Sequence, residues 1–286
     1  MFGLWLLVPE HLRLGTWDLL CAWTQQATES VAPRLALQLV HEAALCTNGL
    51  RAGRCLTLRG FETVNGLPFL AEDKAVHEML AAGAVAQAED LQVALGKLRR
   101  ASGHFAGRLL LIDPHRPPSF SRRHMRKRRI ERNSRPIKTA QTFFSTTNQD
   151  SLETLTRDYP TRWHIEEFYN REQALGWHRA GTMNLNIRYG QMTMSLLAQT
   201  LTHQLRKRLG APFATWDARH LASEIFRGLE GDIRVEDKTI VVTYYNAPNQ
   251  EQLRSQYEGL PAKLKAEGVN PEVPWLYGFQ LDFRFR

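Results

Sequence analysis

The chain reads as an α/β protein of the mixed α+β kind, helical at its start and sheet-bearing further on. Apolar residues recur at helical spacing through most of residues 10–102, whereas 108–113 and 139–146 have the length and composition of short strands. Nearer the other end, residues 233–245 alternate about a polar centre at Glu236-Asp237-Lys238, the pattern of a β-hairpin. The resulting division is a helical region over 1–102, an α/β region over 103–210 and a helix-and-hairpin region over 211–286.

The opening Met1-Phe-Gly-Leu-Trp-Leu-Leu-Val8 is apolar, but it is short and has no basic residues before it. It is expected to pack into a core rather than to direct export. Leu12, Leu14, Trp17, Leu19, Leu20 and Trp23, then Leu35, Leu37, Leu39, Val40 and Leu45, predict helices over 10–47, with Pro33 near the start of the second and Asn48-Gly49 at its end. Between 61 and 96, Val76, Met79, Leu80 and Val85 mark short helices broken at Asn65-Gly66 and Leu67-Pro68. Two readings stand there, a helix-turn-helix or plain helical packing, because no basic recognition helix is evident. Residues 88–100 form a further amphipathic helix, and Lys97, Arg99 and Arg100 suit its C-terminal end, where the helix dipole favours cations.

Ser102-Gly103 and Gly107 then mark a change of texture. Arg108-Leu-Leu-Leu-Ile-Asp113 has the pattern of a buried strand that ends in a carboxylate, the place where sites on α/β sheets gather. Asp113 is therefore a candidate metal ligand, the alternative being a turn Asp before Pro114. Residues 139–146 predict a second strand, and Asp150 with Glu153 fits a capping box. A long amphipathic helix is expected over 183–209, with Met192 and Met194 in its core stripe, followed by a helix near 250–266 and a last strand within 275–285.

Charge narrows the class of partner. Lys and Arg number 37 against 29 Asp and Glu, giving a net charge of +8, and the sequence pI is about 9.6. A polyanion is the expected partner, nucleic acid first. The basic residues concentrate over 116–138, where Arg122, Arg123, Arg126, Lys127, Arg128 and Arg129 stand close together and Glu131 is the lone acid. Such a run packs poorly on itself and displaces counterions from a phosphate backbone, so it reads as a DNA-contacting arm or, more plainly, as a solvated one. Cys21, Cys46 and Cys55 have neither disulfide-framework nor zinc spacing, which fits a reducing, cytosolic setting. No apolar run reaches spanning length, so no membrane partner is expected.

The stretch from Asp158 to Leu175 gathers the remaining chemistry. At about 100° per residue, Tyr159, Arg162, Glu166 and Gln173 fall on one helical stripe, while Ile165, Phe168 and Leu175 fall roughly opposite. One side faces a core and the other presents a Tyr/Arg/Glu/Gln row. Arg162 and Glu166 also have the spacing of an ordinary surface pair on a helix.

With Asp113, the arm and this row together, the chain resembles the DDE transposases of bacterial insertion sequences, in the branch marked by a Tyr-x2-Arg-x3-Glu-x6-Lys signature. Tyr159, Arg162 and Glu166 match that signature, and Gln173 stands in the place of the lysine. The resemblance runs from about 61 to 210. It implies an N-terminal helical region and a ribonuclease H-like catalytic domain that is incomplete here. It further implies two Mg²⁺ ions held by carboxylates, Asp113 and Glu166 among them, with Tyr159, Arg162 and Gln173 at the DNA phosphates. The implied activity is DNA transposition by metal-dependent phosphodiester cleavage and strand transfer. The implied partners are transposon-end DNA, a second copy of the chain or an intact transposase with which it would mix, in the bacterial cytoplasm near the nucleoid. The family's second catalytic Asp has no counterpart on a strand between Asp113 and Glu166, since Asp150 and Asp158 sit at helix caps or in loops. A copy impaired in cleavage, or a DNA-binding remnant without catalysis, is the corresponding expectation.

Overall fold

The computed structural model describes residues 1–46, 60–68, 71–104, 174–175, 182 and 184–286. All of them belong to one compact unit built from residues 1–105 and 168–286. Its class is mixed α+β, with helices around a four-stranded sheet.

The chain begins with a 3-10 helix, Phe2–Leu7, that runs directly into α1 (Val8–Leu14). Gly15, at φ +62°, then redirects it into α2 (Thr16–Thr24), and left-handed backbone costs glycine little. A second left-handed residue, Gln25, ends α2, and α3 (Val31–Ala44) follows with Pro33 in its first turn, where a missing N–H breaks no helical bond. The helical run expected over 10–47 is thus three helices. Next come α4 (Phe61–Val64), α5 (Asp73–Ala82) and α6 (Val85–Ala101), which bury Phe61, Val64, Val76, Leu80, Leu91 and Leu95.

The central post is α7 (Leu185–Leu209), 25 residues long, with Asn184 accepting a hydrogen bond from the Asn186 backbone N–H at its start. At 1.5 Å per residue it extends about 37 Å, enough to serve several helices at once. It packs on α3, α5 and α6 through a stripe in which Met194, Leu197, Leu201 and Leu205 are buried.

After a 3-10 turn at Phe213–Thr215, α8 (Ala218–Leu221) merges into a π-helical turn, Ala222–Arg227. The hairpin follows as expected: β1 (Gly231–Glu236) pairs antiparallel with β2 (Thr239–Tyr244) across Asp237-Lys238, with Asp237 at φ +53°, a conformation Asp tolerates. β2 then pairs in parallel with β4 (Phe279–Phe285), and β3 (Glu272–Val273) closes the order β1-β2-β4-β3. Parallel neighbours need a crossover connection. Here α9 (Gln250–Tyr257) and α10 (Leu260–Ala266) supply it and pack on β4. Extended Glu258 and left-handed Gly259 divide these two, so the one helix expected over 250–266 is broken, and Asp282 caps the second by accepting from the Leu260 N–H at 3.0 Å.

The two ends of the chain share this core. Leu4, Leu6, Leu7 and Val8 are fully buried, as the apolar opening predicted. Tyr244 Oη donates to Phe2 O at 2.9 Å. A Cβ on Gly3 would lie 2.0 Å from Ile225 O, so the first turn fits against the π-turn only as glycine.

Candidate nucleic-acid interface

The residues singled out by sequence, Asp113, Glu166, Tyr159, Arg162, Gln173 and the arm residues Arg122, Arg123, Arg126, Lys127, Arg128 and Arg129, lie outside the described residues. So do the two strands expected over 108–113 and 139–146. The signature segment is described only at its end. There Ala174 and Leu175 are buried, and Leu175 O accepts from Ser195 Oγ at 3.2 Å, which places the apolar side of that end against α7. Cys21 and Cys46 are not joined in a disulfide. Among the described residues no three His, Cys, Asp or Glu side chains converge as a metal ion would need, and no helix is long and apolar enough to cross a membrane.

Two polar assemblies stand out, and they differ in how their charge is answered. The first is buried. His11, Thr16, His41 and Asn65 are each inaccessible to solvent. Asn65 Nδ2 donates to Phe61 O at 2.8 Å, so its Oδ1 faces His41 Nδ1, 2.7 Å away, as acceptor. His41 therefore carries its proton on Nδ1 and accepts at Nε2 from His11 Nε2, 3.2 Å distant. His11 Nδ1 is then the acceptor for the Thr16 hydroxyl at 2.6 Å. Every member is satisfied with both imidazoles neutral. Burial pushes the same way: it holds His11 well below 6.5, with His41 adding to the effect, and lowers His41 to about 4.

Beside this ladder, Glu10 is fully buried and meets Arg13 Nη1 at 2.8 Å and Arg208 Nε at 3.0 Å, while Tyr257 Oη donates to it at 3.4 Å. Glu267 closes the group through Arg13 at 2.6 Å and Arg208 at 3.4 Å. Two cations answer two carboxylates, so the assembly ties α1, α7 and α9 together without presenting net charge.

The second assembly lies where the C-terminal ends of α6 and α7 meet. Lys207 Nζ reaches Ser102 O at 3.3 Å and Gly103 O at 3.4 Å, so the end of α7 supplies cationic capping to the end of α6. His104 Nε2 donates to Gln204 Oε1 at 2.8 Å, and the His104 and His203 rings are 4.7 Å apart. Lys97, Arg100 and Lys207 are exposed, whereas Arg99, His104, His203 and Arg206 are half-buried. Burial lowers His104, helped by Arg99 and Lys207. His203 is lowered to about 4 by burial first, then by His104, Arg206, Arg99 and Lys207. Among the described residues, no carboxylate is one of the groups acting on either ring.

Sequence reading had assigned these cations only to their own helix ends. The signal that joins them is an absence of acid: residues 91–112 and 173–216 contain no Asp or Glu. What periodicity does not reveal is that the ends of those two runs come together, because that depends on α6 and α7 packing side by side. Chemically, the junction gathers several cations and two imidazoles, a concentration of positive charge that suits a phosphate-bearing polymer.

Comparison with family models, with curated proteins and with solved structures finds no match to the chain.

Proposed function

We propose that the chain is a DNA-binding protein of DDE-transposase descent, acting in the cytoplasm on transposon-end DNA and impaired in cleavage. The observation that carries the DNA-binding part is the concentration of cations in a chain of net charge +8, in the basic arm over 116–138 and, among the described residues, in Lys97, Arg100 and Lys207 near the meeting ends of α6 and α7. A surface of that kind gains affinity by releasing condensed counterions, a gain that does not depend on base sequence.

The catalytic part rests on the resemblance carried by Asp113, Tyr159, Arg162 and Glu166. Two carboxylates are hard oxygen donors of the type Mg²⁺ takes, and Asp113 and Glu166 would hold it. Bound there, the ions would stabilise charge on the attacking and leaving oxygens of a phosphodiester. Arg162 would grip a phosphate as a planar fork, Tyr159 would donate a hydroxyl to it, and Gln173 would contribute a neutral amide where the resemblance has lysine. The missing strand-borne Asp supports the second reading, a non-catalytic remnant that occupies DNA ends or mixes into oligomers of an intact transposase.

Nicking of supercoiled plasmid in Mg²⁺ or Mn²⁺, run beside Glu166→Gln and a salt titration of DNA binding, tests both parts. The expected result is tight binding with a steep salt dependence and little or no nicking. Nicking abolished by Glu166→Gln would make this a working DDE enzyme, and absence of salt-dependent binding would overturn the DNA reading itself.

A further inference from the structure

The sheet has two edges, and the chain treats them differently. β3 is only 2 residues long and offers little to a further strand, one of the usual ways in which a sheet edge is blunted. β1 is 6 residues long, paired with β2 at every position and without proline. Glu230 O accepts from the Tyr245 N–H at 3.0 Å, so Glu230 turns its carbonyl towards β2. Bonded residues alternate along an antiparallel pair, so Asp232, Arg234 and Glu236 also face β2 with their main chain. Gly231, Ile233 and Val235 turn their N–H and C=O groups outward. Among the described residues no strand takes those groups up. Val235 shares the core side of the sheet with Ile233, Ile240 and Val242, yet it is 62 % exposed at this edge. Asp232 and Arg234 stand on the other side, where Arg234 Nη2 meets Asp232 Oδ2 at 3.3 Å.

We infer that β1 pairs antiparallel with β1 of a second copy of the chain, about a two-fold axis at Ile233, so that the two sheets become one. The order of charges along the strand selects both partner and register. With Ile233 opposite the partner's Ile233, Gly231 falls opposite the partner's Val235. Each of these outward-facing pairs exchanges main-chain hydrogen bonds in both directions. Asp232 then falls opposite the partner's Arg234, and Arg234 opposite the partner's Asp232. These are non-hydrogen-bonded pairs, whose Cα atoms approach to about 4.5 Å, so that their side chains interact most closely. Acids and bases alternate on one side of the joined sheet, while on the other each Val235 finds room beside a glycine. Glu236 comes opposite the partner's Glu230 beyond the end of the strand, but Arg284 already holds it at 2.8 Å. Other registers lose the match. Centring on Asp232 or on Arg234 sets like charges against each other, and centring on Val235 runs into the turn, where left-handed Asp237 does not continue a ladder. An unrelated strand would have to reproduce this acid–apolar–base order, whereas a second copy supplies it by symmetry. Lys97, Arg100 and Lys207 lie on other elements, so this face stands apart from the DNA-binding reading.

Sedimentation equilibrium of the full chain over a concentration series is expected to show a reversible monomer–dimer equilibrium. Val235→Pro removes an outward N–H without touching the β1–β2 ladder, and it should give a folded monomer. Asp232→Arg and Arg234→Asp should each weaken self-association by about tenfold or more, because each sets like charges opposite one another at both symmetric positions. Mixed in equal amounts, those two variants should associate with each other, since every facing pair is then of opposite sign. Hydrogen exchange of the wild type gives an answer that needs no variant: the amides of Gly231, Ile233 and Val235 should gain protection as concentration rises. Should Val235→Pro fail to fold, the exchange pattern and the mixed pair still decide. A wild type that stays monomeric overturns the inference, as does a dimer that persists in folded Val235→Pro or a mixed pair that does not associate. Protection of the three amides in the monomer would give this edge to another segment of the same chain and overturn it as well.

Discussion

The His11–His41–Asn65 ladder and the α6–α7 junction each contain two histidines a few ångströms apart, yet they do opposite things with charge. In the ladder every donor finds an acceptor, and the adjacent Arg13 and Arg208 find Glu10 and Glu267. In the junction the described neighbours of the imidazoles are an amide and a set of cations. A polar group satisfied inside holds the fold together, whereas a concentration of like charge leaves a field at the surface. The same residue type is thus part of a closed hydrogen-bond ladder at one site and set among cations at the other.

The sharpest way to break that contrast is Glu10→Ala. Removing this carboxylate leaves Arg13 and Arg208 without their shared buried partner, and a loss of about 3–5 kcal/mol is expected in denaturant unfolding. DNA affinity of the folded fraction should be unchanged. A loss below 1 kcal/mol would show that the buried pairs are not holding α1 to α7.

Acidification comes next in size. His41 is held near 4 when folded against 6.5 when free, so the unfolded chain binds the proton first. Stability is complete above pH 6.5 and falls as pH drops towards 4, by about 3 kcal/mol from this one buried group. His11 shifts in the same direction and adds to the loss. His203 contributes less, because a half-buried ring is partly screened by solvent. Denaturant midpoints measured across that window should fall steadily with acid, and a flat profile would refute the neutral ladder.

Asn65→Ala is expected to cost about 1–3 kcal/mol, since it leaves His41 Nδ1–H buried without its acceptor. Thermal unfolding checks it, and a neutral effect would mean that the ladder tolerates a gap. At the small end, Lys97→Glu with Arg100→Glu should leave stability within about 0.5 kcal/mol, because both side chains are exposed. Denaturant unfolding checks it, and a large loss of stability there would place the junction on the structural side of the comparison.

Local patterns carried much of this fold into the sequence. The series Met192, Met194, Leu196, Leu197, Leu201 and Leu205 predicted α7, where Met192 and Leu196 are half-buried and the other four are in the core, and Glu236-Asp237-Lys238 located the hairpin turn to within a residue. The apolar opening announced its own burial. Breaks were harder to see, because Gly15 and Gly259 end helices through left-handed backbone that the surrounding apolar periodicity masks. Long-range pairings were not legible: nothing in the spacing of His11 and His41, 30 positions apart, says that their rings touch. The junction is an intermediate case. Its two acid-free runs are plain in the sequence, but their meeting depends on helix packing. The Asp113 and Glu166 readings fall outside the described residues, so their support remains the resemblance alone.

Trp275 carries a consequence for how the molecule is made. Its indole N–H donates to Val64 O at 3.0 Å across 211 positions, and Gly66 passes so close that a Cβ there would lie 2.0 Å from Trp275 O. Tyr244 reaches back across 242 positions to Phe2. On the ribosome, the apolar first turn therefore leaves the exit tunnel long before the residues that cover it have been synthesised. A nascent chain halted before Tyr244 lacks that hydrogen bond to Phe2 and the last strand of the sheet, so the core shared by the two ends closes late in synthesis.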